Sequence, residues 1–182
     1  ILFCSPQLLP LATELNLRLA IENGNHDIIA YAVTRHAMAL AVIGHPQQAV
    51  VAAHLSLRLL GPDPQSAIAN RTIFAALFHG LHWETSLRVL RDRIADLLRN
   101  GMNSSDPERM GYVAAGYLLS GVHAGVDLPT IEQDLSLVRD VAHHFNSDWT
   151  APYLSCVAQL LECLRNPKSI PTSLQGPLHD EA

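Results

Sequence analysis

Apolar side chains recur every three to four residues along almost the whole chain, and Gly, Pro or Asn interrupts this pattern at regular intervals. This period is that of an amphipathic α-helix, and no stretch of useful length alternates between apolar and polar positions as a strand does. The sequence therefore predicts an all-α protein. The eight predicted helices span about residues 6–22, 27–43, 46–60, 65–79, 83–99, 107–123, 127 or 130 to 145, and 150–164.

Several predicted helix ends carry a residue suited to a turn. Gly44 follows the second helix, where a left-handed residue is favoured, and Pro46 begins the third, where its missing N–H costs nothing. Asp106 is predicted to cap the sixth helix, which Pro107 begins. Buried faces are predicted for the third helix (Ala49, Val50, Ala53, Leu57, Leu60), the fifth (Trp83, Leu87, Leu90, Ile94, Leu97) and the seventh (Ile131, Leu135, Val138, Ala142, Phe145).

The short connections make consecutive helices antiparallel, and each helix pair takes roughly 35 to 42 residues, a spacing typical of stacked helical repeats. We therefore predict a tetratricopeptide-like α–α superhelix of about four stacked antiparallel helix pairs over residues 1–166, followed by a loop or disordered tail at 167–182. A closed all-α bundle is the alternative. The second and fourth helices are rich in Ala, as expected of inner helices. A charged, solvated outer face is predicted for the third, fifth and seventh helices; on the fifth and seventh its residues are Arg88, Arg91, Asp92, Arg93, Glu132, Asp134 and Arg139.

Composition narrows the class of partner. Charged residues make up 16% of the chain, below the usual quarter, which favours surface that is covered by a neighbour. The net charge of −5, without a Lys/Arg cluster, argues against nucleic acid and against a lipid surface. We therefore expect the partners to be proteins, flanking domains of the same chain, or a second copy of the chain.

Cellular location is inferred from cysteine usage and apolar runs. Cys4, Cys156 and Cys163 do not form a disulfide framework, which favours a reducing compartment. No apolar run approaches the roughly 20 residues that span a bilayer. We therefore expect a cytoplasmic protein without a membrane partner. Because the chain does not begin with Met and starts and stops abruptly, we also expect a segment of a larger protein.

The sequence offers little chemistry for catalysis. Among its ten histidines, His79 and His82 are separated by Gly80, where a helix is predicted to end, and the adjacent His143 and His144 point in different directions on a helix. It contains no His-Glu-x-x-His, Cys-x-x-Cys, Gly-x-Ser-x-Gly or P-loop pattern. We therefore expect no enzymatic activity in this segment, no metal and no cofactor. A small α-helical enzyme is the alternative, and it would need polar residues that converge in a deep pocket.

Two resemblances suggest a family. Gly44-His45-Pro46-Gln47-Gln48-Ala49 resembles the turn of a tetratricopeptide repeat, and Ala37, Ala53 and Ser56 occupy positions where that repeat has small side chains. The order and spacing of several short motifs, over nearly the whole chain, resemble a helical region of large multidomain signalling proteins. These motifs are Leu9-Pro10-Leu11, Glu22-Asn23-Gly24-Asn25, Ala30-Tyr31-Ala32, His82-Trp83-Glu84, Gly111-Tyr112 and Asn166-Pro167…Leu174-Gln175-Gly176.

In those signalling proteins the region lies between a P-loop ATPase domain and sensor plus histidine-kinase domains, and some members also carry a serine/threonine-kinase-like domain. The resemblance implies a non-catalytic scaffold or relay segment. Two alternatives are an oligomerisation module without a peptide-binding groove and a regulatory region of an ATPase-type transcriptional regulator.

Stacked repeats present a concave wall, on which Arg and Tyr are favoured contact residues. The predicted protein-interaction residues are Arg35, His36, Asn70, Arg71, His79, Tyr112 and Tyr117, although the same side chains could simply satisfy helix ends. The predicted repeat-structural residues are Gly44, Ala49, Ala53 and Trp83.

Overall fold

A computed structural model of the chain describes residues 6–24, 26–61, 68–101, 106–146, 150–166 and 176–178. Within these ranges the chain is helical and contains no strand, which confirms the all-α class. Most of the predicted tail, 167–182, lies outside the described residues. The α-helices are α1 (Leu9–Asn23), α2 (His26–Val42), α3 (Pro46–Leu60), α4 (Ala69–Ala75), α5 (Leu87–Gly101), α6 (Pro107–His123), α7 (Leu128–His144) and α8 (Ala151–Arg165).

The chain divides into two compact units, which we describe separately. Unit 1 spans Ile1–Leu90 and unit 2 spans Arg91–Ala182, so that the boundary falls inside α5. In unit 1, α2 packs against α1, α3 and α4 and is therefore the central helix. In unit 2, α7 packs against both α6 and α8.

The predicted turn between α2 and α3 is present. Gly44 has a left-handed φ of 88°, and its N–H donates to the carbonyl of Ala41, while the N–H of His45 donates to Leu40 over 2.8 Å. This pair of bonds satisfies two carbonyls at the end of α2 in a Schellman arrangement. Pro46 then begins α3, as predicted.

The fourth predicted helix differs most from expectation. It was expected over 65–79, but the α-helix ends at Ala75 and continues as a π turn, Ala76–Gly80, and a 3-10 turn, Leu81–Trp83. Gly80 is pressed against α3, since a Cβ built on it would lie 2.5 Å from the Cβ of Ala53. The π turn and α3 therefore approach more closely than any residue larger than Gly allows.

The predicted buried faces are present with local corrections. In α5, Leu90 and Ile94 are each 1% exposed, as predicted. Trp83, predicted on the same face, is instead 53% exposed, because the residues around it form a 3-10 turn outside the register of α5. Among the other residues of the predicted buried faces, six are half-buried: Val50, Leu57, Leu60, Leu87, Ala142 and Phe145.

Two aspartates cap helices α6 and α7 of unit 2. The Asp106 carboxylate accepts the backbone N–H of Arg109 over 3.3 Å at the start of α6, as predicted. At the start of α7, the Asp127 carboxylate accepts hydrogen bonds from both the N–H and the hydroxyl of Thr130. Of the two predicted starting residues, Asp127 is therefore the N-cap. These bonds stabilise the carboxylate, so the pKa of Asp127 is lowered.

Candidate functional site

The most developed polar site is a cluster of Arg91, Tyr117 and Asp134 in unit 2, contributed by α5, α6 and α7 respectively. The Arg91 guanidinium donates to the Tyr117 hydroxyl over 2.7 Å and to the Asp134 carboxylate. The Tyr117 hydroxyl donates to the other carboxylate oxygen over 2.8 Å. The guanidinium carbon also lies 4.5 Å from the centre of the tyrosine ring, within range of a cation–π interaction. We call these three residues the buried cluster.

The buried cluster is largely withdrawn from water. The side chains of Arg91 and Asp134 are 15% and 8% exposed, and Tyr117 is 8% exposed. Burial disfavours the charged guanidinium, but the hydrogen bond and charge of Asp134 more than offset this effect, so the pKa of Arg91 is raised. Burial and the neighbouring carboxylate both raise the pKa of Tyr117. The tyrosine is therefore held as a neutral hydrogen-bond donor.

Gly121 of α6 makes room for the cluster. A Cβ at this position would lie 2.9 Å from Cδ1 of Ile131 and 3.1 Å from Nε of Arg91. That Nε is buried without a hydrogen-bond partner. Both oxygens of Asp134 accept hydrogen bonds, one from Arg91 and one from Tyr117. The arrangement joins three helices.

The buried cluster corrects three predictions. Arg91 and Asp134 were expected on solvated outer faces, and Tyr117 was expected on a partner-binding surface; all three point inward, where they hydrogen-bond to one another. One signal in the sequence indicated this for Asp134. It follows Ile131 by three residues and precedes Val138 by four, so it lies on the apolar face of α7 rather than opposite to it.

The remaining predicted protein-interaction residues divide between the units. Five lie in unit 1 and are half-buried, two each on α2 and α4 and one on the π turn. We call them the polar set: Arg35, His36, Asn70, Arg71 and His79. Because α2 packs against both α4 and the π turn, this set occupies neighbouring elements of one unit. The sixth, Tyr112, is half-buried on α6 of unit 2, where the Arg109 guanidinium lies 5.2 Å from its ring centre.

Among the predicted repeat-structural residues, Ala49 and Ala53 are completely buried, whereas Trp83 borders a shallow surface groove of 240 Å³. The groove is lined by Pro46, Gln47, Val50, Trp83 and Glu84. Glu84 is also hydrogen-bonded to His54, and both side chains are well exposed to solvent.

His82 lies beside Trp83, with ring centres 4.7 Å apart and ring planes tilted by 41°. Its Nδ1 is buried without a hydrogen-bond partner. Burial lowers the pKa of His82, although a hydrogen bond to the backbone of Phe78 acts in the opposite direction. The neutral form of the His82 ring is therefore favoured more in the folded protein than it is for a histidine in water.

A second groove, in unit 2, is entirely aliphatic and has a volume of 220 Å³. Its lining contains no ionisable side chain. It is lined by Val122, Gly125, Val126, Leu128, Ile131, Val157, Leu160, Leu161 and Leu164.

Within the part of the chain that the structure describes, no three His, Cys, Asp or Glu side chains are grouped so as to hold a metal ion. No helix in the same residues is long and apolar enough to cross a bilayer. Comparison of the chain with protein-family models, with curated proteins and with solved structures finds no match.

Proposed function

We propose that this chain is a tetratricopeptide-like, non-catalytic scaffold or relay segment of a multidomain signalling ATPase-kinase, contacting a protein or flanking domains of the same chain. The local architecture of unit 1 supports the repeat assignment. Gly44 ends α2, and Ala49 and Ala53 on α3 are completely buried. Small residues at these positions allow two helices to pack closely.

The observation that carries the proposal is the polar set on α2, α4 and the π turn. Its five side chains are only half-buried although they lie on elements that pack against one another. They therefore border solvent beside the packed core. Arginine is enriched among the residues that dominate binding energies, so Arg35 and Arg71 are the strongest contact candidates.

A relay also requires that the helices move together. Gly80 and Ala53 pack so closely that the π turn cannot slide along α3 without loss of packing, since a Cβ on Gly80 would lie 2.5 Å from that of Ala53. A partner that displaces the π turn, on which His79 lies, would therefore also displace α3. This coupling would convert partner binding, or the state of an adjoining ATPase, into a change of domain geometry.

The test uses the full-length parent protein. Arg35→Ala combined with Arg71→Ala is expected to weaken partner binding and signalling output at least tenfold, with an unchanged circular dichroism spectrum. The matched control is Arg18→Ala with Arg58→Ala, which removes two exposed arginines of the same unit. Unchanged binding in the first double variant would exclude the polar set as the contact surface.

The signalling context has its own test. A P-loop motif encoded upstream of this segment, with a histidine-kinase core downstream, is the expected arrangement. A parent reading frame with a transcription-regulatory domain instead of the kinase would favour the ATPase-type regulator.

A second candidate function, self-assembly, is favoured by a separate observation. Helix α1 exposes leucines on the side opposite to its packed face, with Leu11 70% exposed. A contiguous apolar surface of this kind marks an interaction site.

A further inference from the structure

Helix α1 and the 3-10 turn before it carry apolar residues on two sides. One side packs into unit 1 and contains Leu9 and Ala20, which are 2% and 5% exposed. The other side is open to solvent. We call it the α1 face, and it consists of Leu8, Leu11, Leu15 and Leu19, which are 48%, 70%, 54% and 48% exposed.

The α1 face is a continuous stripe rather than a scatter of leucines. Its residues follow one another at intervals of three, four and four, which places them within an arc of about 80° at roughly 100° per residue. Glu14 and Arg18 form an ion pair of 3.8 Å along one edge of the stripe. Charged residues therefore flank the apolar surface of α1, as they do at the interface between two packed helices.

We propose that the α1 face binds the same face of a second copy of this chain, with the two α1 helices antiparallel. The spacing of the leucines favours this occupant. The four positions are nearly symmetric about the midpoint between Leu11 and Leu15, so an antiparallel copy places Leu11 against Leu15 of the second copy. Leu8 then meets Leu19 of the second copy. A two-fold interface requires this self-complementarity, whereas an unrelated partner does not.

The area of the face suits a weak, reversible dimer. Four leucines exposed by about half or more amount to an apolar patch of roughly 400 Å² on each copy, within the range that marks interaction sites. The two copies together would bury about 800 Å² through leucines alone, and the flanking polar side chains would bring the total to roughly 1,200 Å². This is the low end for a specific interface, and we expect a dissociation constant of about 1 to 100 µM.

This inference rests on the self-assembly function and not on the relay function. It is tested with two single variants, Leu11→Lys and Leu15→Glu, by analytical ultracentrifugation and native mass spectrometry up to about 500 µM chain, well above the expected dissociation constant. Each variant places two charges against leucines in its own dimer, so each is expected to weaken association at least tenfold. Mixed together, they pair the introduced lysine of one chain with the introduced glutamate of the other and retain one leucine–leucine contact. The mixture is therefore expected to form a heterodimer.

Each outcome decides between specific possibilities. A parent chain that stays monomeric overturns both the inference and the self-assembly function. A parent dimer that neither variant weakens leaves self-assembly standing but excludes the α1 face. Monomeric variants that do not pair when mixed exclude the antiparallel register, because a parallel pair would bring no opposite charges together.

The matched control is Val51→Lys, which adds a charge at an aliphatic residue of α3 that is 68% exposed. It is expected to leave the dimer intact. Far-ultraviolet circular dichroism of every variant should match that of the parent, since the substituted side chains are all more than half exposed. If Val51→Lys weakens association as much as Leu11→Lys does, the specific assignment to α1 is overturned.

Discussion

Substitution of Asp134 by Asn is the sharpest test of the buried cluster. Asn has nearly the same shape and can still accept the hydrogen bond from Tyr117, but it removes the charge that compensates Arg91. The guanidinium would then be left 15% exposed, with a buried Nε that already has no partner. The substitution therefore removes the charge of Asp134 and one of its two accepted hydrogen bonds while nearly preserving its size.

Loss of one partner from a buried ion pair costs about 3–5 kcal/mol because the other charge remains desolvated. Asn retains one hydrogen bond and Arg91 keeps some solvent contact, so we expect the lower end, about 3 kcal/mol. The control is Asp96→Asn. Its ion pair with Arg99 lies on the same helix as Arg91, but its side chains are 63% and 70% exposed. An exposed pair contributes less than about 1 kcal/mol.

Native-state hydrogen exchange of the α6 and α7 amides reports on unit 2 alone. A loss of about 3 kcal/mol corresponds to roughly 100-fold faster exchange of the slowest amides, since each 1.4 kcal/mol is about a factor of ten. The double variant Arg91→Met with Asp134→Asn should recover at least half of this loss, because it removes the stranded charge. If Asp134→Asn shifts exchange no more than Asp96→Asn does, the buried cluster does not stabilise unit 2.

Three further predictions concern unit 1 and α5. Gly80→Ala should destabilise unit 1 by about 2 kcal/mol in urea unfolding, because its Cβ meets that of Ala53 at 2.5 Å, and adding Ala53→Gly should restore most of the loss. Leu90→Asp should cost about 3–5 kcal/mol by burying an unpaired charge, whereas Asp at the neighbouring Val89, which is 51% exposed, should cost far less. Because burial lowers the pKa of His82 below its ordinary 6.5, the unfolded chain binds the proton more readily. The contribution of His82 to the free energy of unfolding is therefore complete above pH 6.5 and declines as the pH falls below this value. Urea unfolding midpoints measured from about pH 5 to 8 should fall towards low pH. The substitution His82→Gln should remove this pH dependence.

The helix ends could be predicted from the sequence because their causes are local. Gly44 adopts its left-handed φ within a six-residue turn, and Asp106 caps α6 through a residue three positions away. Neither interaction depends on the rest of the fold. The same is true of the burial of Leu90 and Ile94, since helical spacing alone places them on one face.

The buried cluster could not be predicted in full because its members come from distant parts of the chain. Arg91 and Asp134 are 43 positions apart, and no local sequence pattern indicates that α5 and α7 place them next to each other. The π turn has a similar cause. Gly80 was interpreted as the end of a helix, whereas its role depends on Ala53, a residue of another helix that occupies the space of its missing side chain.

Two substitution sets can separate the candidate functions because they share no residue. The polar set depends on α2, α4 and the π turn, whereas the α1 face projects away from the packed side of α1. Leu11→Lys should therefore weaken self-association at least tenfold and leave contacts through Arg35 unchanged. Self-association through leucines should also be nearly insensitive to salt, whereas contacts through two arginines should weaken as ionic strength rises. A salt titration of the full-length protein consequently distinguishes an assembly module from a relay that binds through charge.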